Sequence, residues 1–221
     1  MPDAEEAEGS RARRGAVVPG GGDGGESGAA RDSRNVFVTV GTTSFDALIE
    51  AMDCASVVAT LRAKGYTSLT LQIGRGLYLP RNIVPPGASR AVLRGGGSVG
   101  EGAADEDNDE GRDEFVVEYF DFKPSLEQSM RWAALVVSHA GAGSVFEALG
   151  LRRPLLVVVN ETLMGNHQVE LAEELAGRGH LQWCTPADLK HALVAFEPKG
   201  LTTYTPGNPV KLAAAFDTLL G

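Results

Sequence analysis

The sequence predicts an α/β fold built on a doubly wound parallel sheet. Three observations carry this. Apolar runs that read as strands alternate with stretches of helical periodicity. The strand runs are apolar on consecutive residues, as expected of strands covered on both faces. Four polar, mostly glycine-containing turns follow strand ends: Gly41–Ser44, Gly74–Gly76, His139–Ser144 and Asn160–Gln168. In doubly wound sheets ligands gather at the carboxyl ends of the strands, near the point where the winding reverses. The four turns together therefore point to a nucleotide-type site.

The elements follow in order. Asn35–Val40 reads as a strand through Val36, Phe37, Val38 and Val40. Gly41-Thr42-Thr43-Ser44 is a turn able to cap the next helix. That helix is expected over Phe45–Lys64, ended by Gly65 as a left-handed cap. Leu69–Ile73 is a strand, followed by Gly74-Arg75-Gly76, and Phe115–Phe120 is another. Ser125-Leu126-Glu127-Gln128 is a capping box opening a short helix. Leu135–Ser138 is a strand, Ser144–Leu149 a helix stopped by Gly150, and Leu155–Val159 a strand. His167–Ala176 is helical and ends near Gly177 or Gly179, and Gln182–Cys184 is a short strand. Thr185-Pro186-Ala187-Asp188 is a second capping box with proline at the first helical position. A last helix is expected from Asn208-Pro209 through Leu220. The whole is Rossmann-like.

Two segments fall outside this pattern. Residues 1–34 are rich in Gly, Ala, Arg and Glu and are expected to form a disordered tail. Residues 35–221 form the ordered domain, with a low-complexity acidic insertion at about 85–113 that includes Asp105-Glu106-Asp107-Asn108-Asp109-Glu110. The run reads as a solvated surface strip.

Composition narrows the function classes. The chain has 221 residues, 43% hydrophobic and 22% charged, with a formal net charge of −9. The acidic balance argues against nucleic acid as the main partner and against direct binding to an anionic membrane face. Cys54 and Cys184 read as reduced, packed thiols. No apolar run approaches the roughly 20 residues that span a bilayer. The N-terminal Asp3, Glu5, Glu6 and Glu8 do not fit a signal or transit peptide, so a cytoplasmic location is expected.

The richest stretch is Ser138-His139-Ala140-Gly141-Ala142-Gly143-Ser144, which joins an apolar strand to a helix start. Bare backbone there lets N–H groups point at an anion, and the helix dipole adds partial positive charge. Glu147 follows one helical turn in, where a carboxylate accepts hydrogen bonds from ribose hydroxyls. The pattern suits a diphosphate and a sugar. There is no Asp-x-Asp and no Cys/His cluster, so no cofactor and no tightly bound metal are expected.

Three motifs together resemble the asparagine-linked glycosylation protein 13 family. They are Val38-Thr39-Val40-Gly41-Thr42-Thr43-Ser44-Phe45-Asp46, the 138–144 stretch, and Val159-Asn160-Glu161-Thr162-Leu163-Met164-Gly165-Asn166-His167-Gln168. The resemblance covers about Val36–Leu79 and Phe115–Leu220. Gly165 stands where the family commonly has Asp. The wider kinship is to the donor-binding C-terminal half of GT-B glycosyltransferases. The resemblance implies the catalytic subunit of a two-subunit inverting enzyme that transfers GlcNAc from UDP-GlcNAc to dolichol-diphosphate-GlcNAc.

Site residues follow by similarity. Gly141, Ala142, Gly143 and Ser144 meet the diphosphate, with Gly41, Thr42 and Thr43 approaching from the opposing turn and Gly74 on the same edge. Glu147 holds the ribose. Asn166, His167 and Gln168 contact GlcNAc hydroxyls. Phe120 and Asp121 either receive uracil or form an ordinary strand-end turn. His139 either stabilises the leaving UDP or only hydrogen-bonds the loop. The general base is expected from another half, because the chain has length for one GT-B domain. The resemblance therefore implies a membrane-anchored partner of the asparagine-linked glycosylation protein 14 family. The partner would hold this chain peripherally on the cytosolic face of the endoplasmic reticulum. The final helix either docks that partner or packs on its own sheet. Two other functions fit the motifs: a split glycosyltransferase serving another lipid-linked or polysaccharide acceptor, and a non-catalytic nucleotide-sugar binding subunit.

Overall fold

Consecutive apolar residues at 36–38, 135–137 and 155–158 make both faces of those strands hydrophobic, so the sheet needs a helical layer on either side. A computed structural model of the chain describes residues 34–94, 114–160 and 167–207, all within the compact unit Asp32–Gly221. Seven strands form one sheet: β1 (Asn35–Thr39), β2 (Ser68–Gln72), β3 (Arg90–Arg94), β4 (Glu114–Phe120), β5 (Ala133–His139), β6 (Leu155–Val158) and β7 (Gln182–Cys184). Their order is β3-β4-β2-β1-β5-β6-β7. Every pairing is parallel except β3 with β4. The chain thus winds outward from β1 through β2 to β4, then returns to β5 and winds the other way. The reversal falls between β1 and β5, which is where a doubly wound sheet leaves a crevice.

The helices are α1 (Asp46–Met52), α2 (Ala55–Ala63), α3 (Glu127–Arg131), α4 (Ala142–Gly150), α5 (His167–Gly177) and α6 (Leu189–Ala195). Val36 and Val38 of β1 pack with Leu48, Ile49, Leu61 and Leu193 in one core, on the face of α1, α2 and α6. Phe37, between them, packs with Val145, Ala148, Ala172 and Leu175 in the second core, on the face of α4 and α5. Both cysteines are free. No helix among the described residues is long and apolar enough to cross a membrane.

Four sequence expectations need correction. The helix expected over Phe45–Lys64 is two helices, interrupted at Asp53 and Cys54. The break turns the Asp53 carboxylate inward, where it accepts hydrogen bonds from the backbone N–H groups of Arg81 (2.9 Å), Asn82 (3.1 Å) and Ile83 (2.9 Å) and from the Tyr78 hydroxyl (2.7 Å). A continuous helix would leave those amides unpartnered. The acidic insertion expected at about 85–113 contains the edge strand β3, whose Ala91 and Leu93 pack on the first core while Arg90, Val92 and Arg94 face out. Gly150 lies inside α4 rather than stopping it. The left-handed residue is Arg152, with φ 55°, and Arg153 N–H reaches back to Ala148 O at 3.0 Å, a Schellman ending on a non-glycine residue. The box at Thr185–Asp188 forms a turn, Asp188 N–H donating to Thr185 Oγ1 at 3.4 Å, and α6 starts only at Leu189.

Other expectations hold. Gly65 (φ 85°) and Gly179 (φ 75°) take the left-handed positions that end α2 and α5. The expected tail up to residue 33, the insertion beyond Arg94 up to 113, and the final helix from Asn208 lie outside the described residues.

Two predictions follow from these contacts. Asp53→Ala strips the partner from three backbone N–H groups at once and should lower the unfolding free energy by roughly 3 kcal/mol or more, read by urea denaturation. Arg94 and Glu114 are register partners in the antiparallel pair, so a two-residue Asn-Gly turn spans the gap between them. Replacing residues 95–113 by such a turn should leave the melting temperature within about 5 °C of the parent, since closure entropy varies slowly with loop length.

Candidate donor-binding site

At the carboxyl edge, between β1 and β5, a cavity of about 500 Å3 opens. Its walls are Gly41 and Thr42 after β1, residues 122–126 after β4, and His139, Gly141, Gly143, Ser144 and Glu147 from the end of β5 into α4, with Gln72 at the end of β2. The α4 end is open. Gly141 is its N-cap, in extended backbone, and no described side chain caps it. The first helical hydrogen bond is Val145 N–H to Gly141 O at 3.0 Å. The N–H groups of Ala142, Gly143 and Ser144 thus precede the helical ladder and remain available to an anion, with the helix dipole behind them. Glu147, one turn further on the same helix, is exposed and reaches the same cavity.

His139 is held by close packing. A Cβ on Gly41 would lie 2.7 Å from its Cε1, and a Cβ on Gly141 would overlap its Nε2. Glycine at both positions lets the two turns close on the ring. Gly41 also needs glycine for its φ of 65°. Burial pushes the imidazole below its ordinary pKa, partly offset by a backbone contact at Thr39. Its Nδ1 is buried without a hydrogen-bond partner, so the neutral ring is the form the fold favours.

The structure divides the residues expected at the site. Gly41, Thr42, His139, Gly141, Gly143, Ser144 and Glu147 share the cavity wall. Thr43 braces the turn instead, its Oγ1 donating to Val40 O at 2.9 Å and its carbonyl accepting Arg75 N–H at 2.9 Å. Gly74 lies beneath that turn, where a Cβ would collide with Thr43 O; it permits close approach and does not line the cavity. Phe120 stacks on Phe37 at 6.5 Å, under the Lys123 ammonium at 4.0 Å. The wall begins just after Asp121, at Phe122. Ala142 is exposed at the start of α4. His167 and Gln168 open α5 beyond β6, off the cavity wall, with His167 94% exposed and 3.6 Å from Glu170. Asn166 lies outside the described residues.

Sequence reasoning missed Phe122–Leu126 and Gln72. The first shows only as a polar turn ahead of the Ser125 box. The second had a usable signal: a glutamine closing an apolar strand must find buried partners.

Comparison with known proteins agrees with this fold. Residues 35–215 match the glycosyltransferase family 28 C-terminal domain. The UDP-N-acetylglucosamine transferase subunit ALG13 of Eremothecium gossypii is 34% identical over 187 residues, covering 80% of this chain and 86% of that protein.

The chain belongs to the ALG13 family.

The ALG13 subunit of Mus musculus is 39% identical over 152 residues, or 69% of this chain. The matched region spans only 11% of the length of the Mus musculus and Homo sapiens proteins. The solution structure of an ALG13 superposes with a TM-score of 0.54 at 24% identity, covering 81% of this chain and 92% of that one. It shows that the two share a fold.

The depressed imidazole of this ALG13-family chain sets a pH dependence. The unfolded state binds the His139 proton first, so this group's contribution is present above the ordinary imidazole value of about 6.5 and is lost as pH falls through that value toward the lower folded one. His139→Asn should flatten the stability loss between about pH 7 and pH 5, measured by urea unfolding across that range. An unchanged slope would mean that the ring protonates freely in the native state.

Proposed function

We propose that the chain is the donor-binding, catalytic half of a UDP-GlcNAc-dependent N-acetylglucosaminyltransferase that works with a second, membrane-anchored subunit. The observation that carries this is the uncapped N-terminus of α4 opening into the cavity at the winding reversal, with Glu147 one turn behind it. Ala142, Gly143 and Ser144 N–H groups receive the diphosphate, and Glu147 accepts hydrogen bonds from the ribose hydroxyls. Residues 122–126 bound the side of the cavity where the base would lie. The sugar hydroxyls are assigned to Asn166, His167 and Gln168, the last two opening α5 after β6.

The reaction is displacement at the anomeric carbon with inversion. The acceptor oxygen forms the new bond, UDP leaves, and the acceptor's proton passes to a base. Fixed N–H donors stabilise the leaving diphosphate as its charge grows, without reorganising, and a neutral His139 beside them adds a hydrogen bond through Nε2. This reading needs no cofactor and no tightly bound metal. The base and the acceptor site are assigned to the partner, of the asparagine-linked glycosylation protein 14 family, with dolichol-diphosphate-GlcNAc as acceptor. Its anchor would place the pair on the cytosolic face of the endoplasmic reticulum. The family relationship and the cavity support this reading.

Glu147→Ala removes charge-assisted hydrogen bonds of about 1.5–3 kcal/mol, so UDP should bind at least about tenfold more weakly while the fold persists. Calorimetry decides this, and an unchanged affinity removes Glu147 from the site. Gln168→Ala should weaken UDP-GlcNAc more than UDP; equal losses would mean that the residue shapes its loop. The chain alone should bind donor and transfer nothing, and should become active when reconstituted with the anchored subunit. Transfer to the lipid acceptor by the purified chain alone would overturn the two-subunit reading.

A further inference from the structure

We propose that Gln72 is the positioning residue of the donor cavity: its carboxamide fixes the spacing between the cavity walls without touching the ligand. The inference rests on the reading of the cavity as a UDP site. The side chain closes β2 and is 1% exposed, at the floor of the cavity. Its Oε1 accepts from Thr39 Oγ1 (2.6 Å), Val40 N–H (3.2 Å) and Gly41 N–H (3.0 Å). Its Nε2 donates to Gly41 O (2.8 Å) and Asp121 O (2.9 Å). Two backbone amides lie on one side and two carbonyls on the other, so only this amide orientation satisfies them all.

Those contacts join two different walls. The register of β1 with β2 ends at Thr39–Gln72, and that of β2 with β4 ends at Gln72–Phe120. Beyond those pairs the chain leaves the ladder, just where it becomes cavity wall. Gln72 grips the first residues past the ladder on both sides, Val40 and Gly41 on one and Asp121 on the other. Thr39 reinforces the grip, its Oγ1 also accepting Gly41 N–H at 3.0 Å. Gly41 in turn packs on the His139 ring, so a shift at Gly41 is passed to the α4 side. Both amide hydrogens are engaged with backbone carbonyls, leaving no donor for a ligand.

Two variants separate positioning from simple stability. Gln72→Leu removes every one of these bonds. Gln72→Glu keeps an acceptor beside Val40 and Gly41 but sets a second oxygen against Gly41 O and Asp121 O. Once protonated, that oxygen donates again, and burial against carbonyls raises the pH at which it does so. Asp53→Asn is the control: it disturbs a buried carboxylate outside the cavity wall. UDP affinity is measured by calorimetry well below each melting temperature and expressed relative to the parent chain at the same pH.

Gln72→Leu should bind UDP at least about tenfold more weakly, and Asp53→Asn should match the parent despite a lower melting temperature. Gln72→Glu should be about tenfold weaker near pH 8 and approach the parent near pH 5.5. Folded Gln72 variants that bind UDP like the parent, with only a lowered melting temperature, would overturn the proposal. If Gln72→Leu does not fold, Gln72→Glu decides: a ratio that does not change with pH overturns it. Failure of the parent chain itself to bind UDP is a different result, and counts against the UDP-site reading on which the proposal stands.

Discussion

Right-handed crossovers on a parallel sheet force the chain to opposite faces when it winds in opposite directions. From β1 it leaves through α1 and α2 to β2, and from β5 it leaves through α4 to β6 on the other side. The two exits diverge, so among the described residues no helix covers the carboxyl ends of β1 and β5. The crevice is a consequence of topology, and the rest of the site is built around it. α4 begins there because β5 ends there, which aims the α4 N-terminus into the gap. The glycines at positions 41 and 141 follow, because two turns must close on one imidazole from either side.

Buried polar side chains show how the edge is held. The buried polar side chains among the described residues are Thr39, Asp53, Thr70, Gln72 and Ser138. Three of them, Thr39, Gln72 and Ser138, sit at the carboxyl ends of β1, β2 and β5. Each is bonded: Thr39 and Gln72 to each other, Ser138 Oγ to His139 O at 2.9 Å. An apolar strand end could not replace them, since the backbone groups leaving the ladder need partners and water is excluded. Asp53 plays the same part elsewhere, gathering the 81–83 amides into a fixed loop. In both places an interior polar side chain does for irregular backbone what the ladder does for strands. His139 Nδ1 breaks the pattern: it is buried without a hydrogen-bond partner, in a residue of the cavity wall.

Much of this was legible in the sequence. Runs rich in β-branched and aromatic residues at 36–40, 69–73, 115–120, 135–138 and 155–159 gave five strands their places, with consecutive apolar residues at 36–38, 135–137 and 155–159 and an alternating pattern at 69–73. Strand-then-helix order gave the winding, and the glycine-rich stretch gave the turn into α4 with Glu147 one turn behind it. These are local signals, carried by backbone freedom and hydrophobic period. What failed was non-local. β3 was hidden because an edge strand of five residues buries only Ala91 and Leu93, and its partner lies across the acidic stretch. The break at Asp53 was hidden because helical periodicity continues through it, while its cause lies nearly thirty residues later.

Sequence alone therefore determined the fold class, the two helical layers and the glycine-rich turn that opens α4, since each follows from residue type and spacing. Only the tertiary structure decided which of the expected residues share a cavity. It set Thr43 and Gly74 to bracing and close packing, moved the wall from Phe120 and Asp121 onto Phe122–Leu126, and brought Gln72 at the end of β2 into contact with the ends of β1 and β4 at once. The reason is physical. A turn's amino acids fix what its backbone can adopt, but where its side chains point depends on strands that become neighbours only when the sheet is assembled.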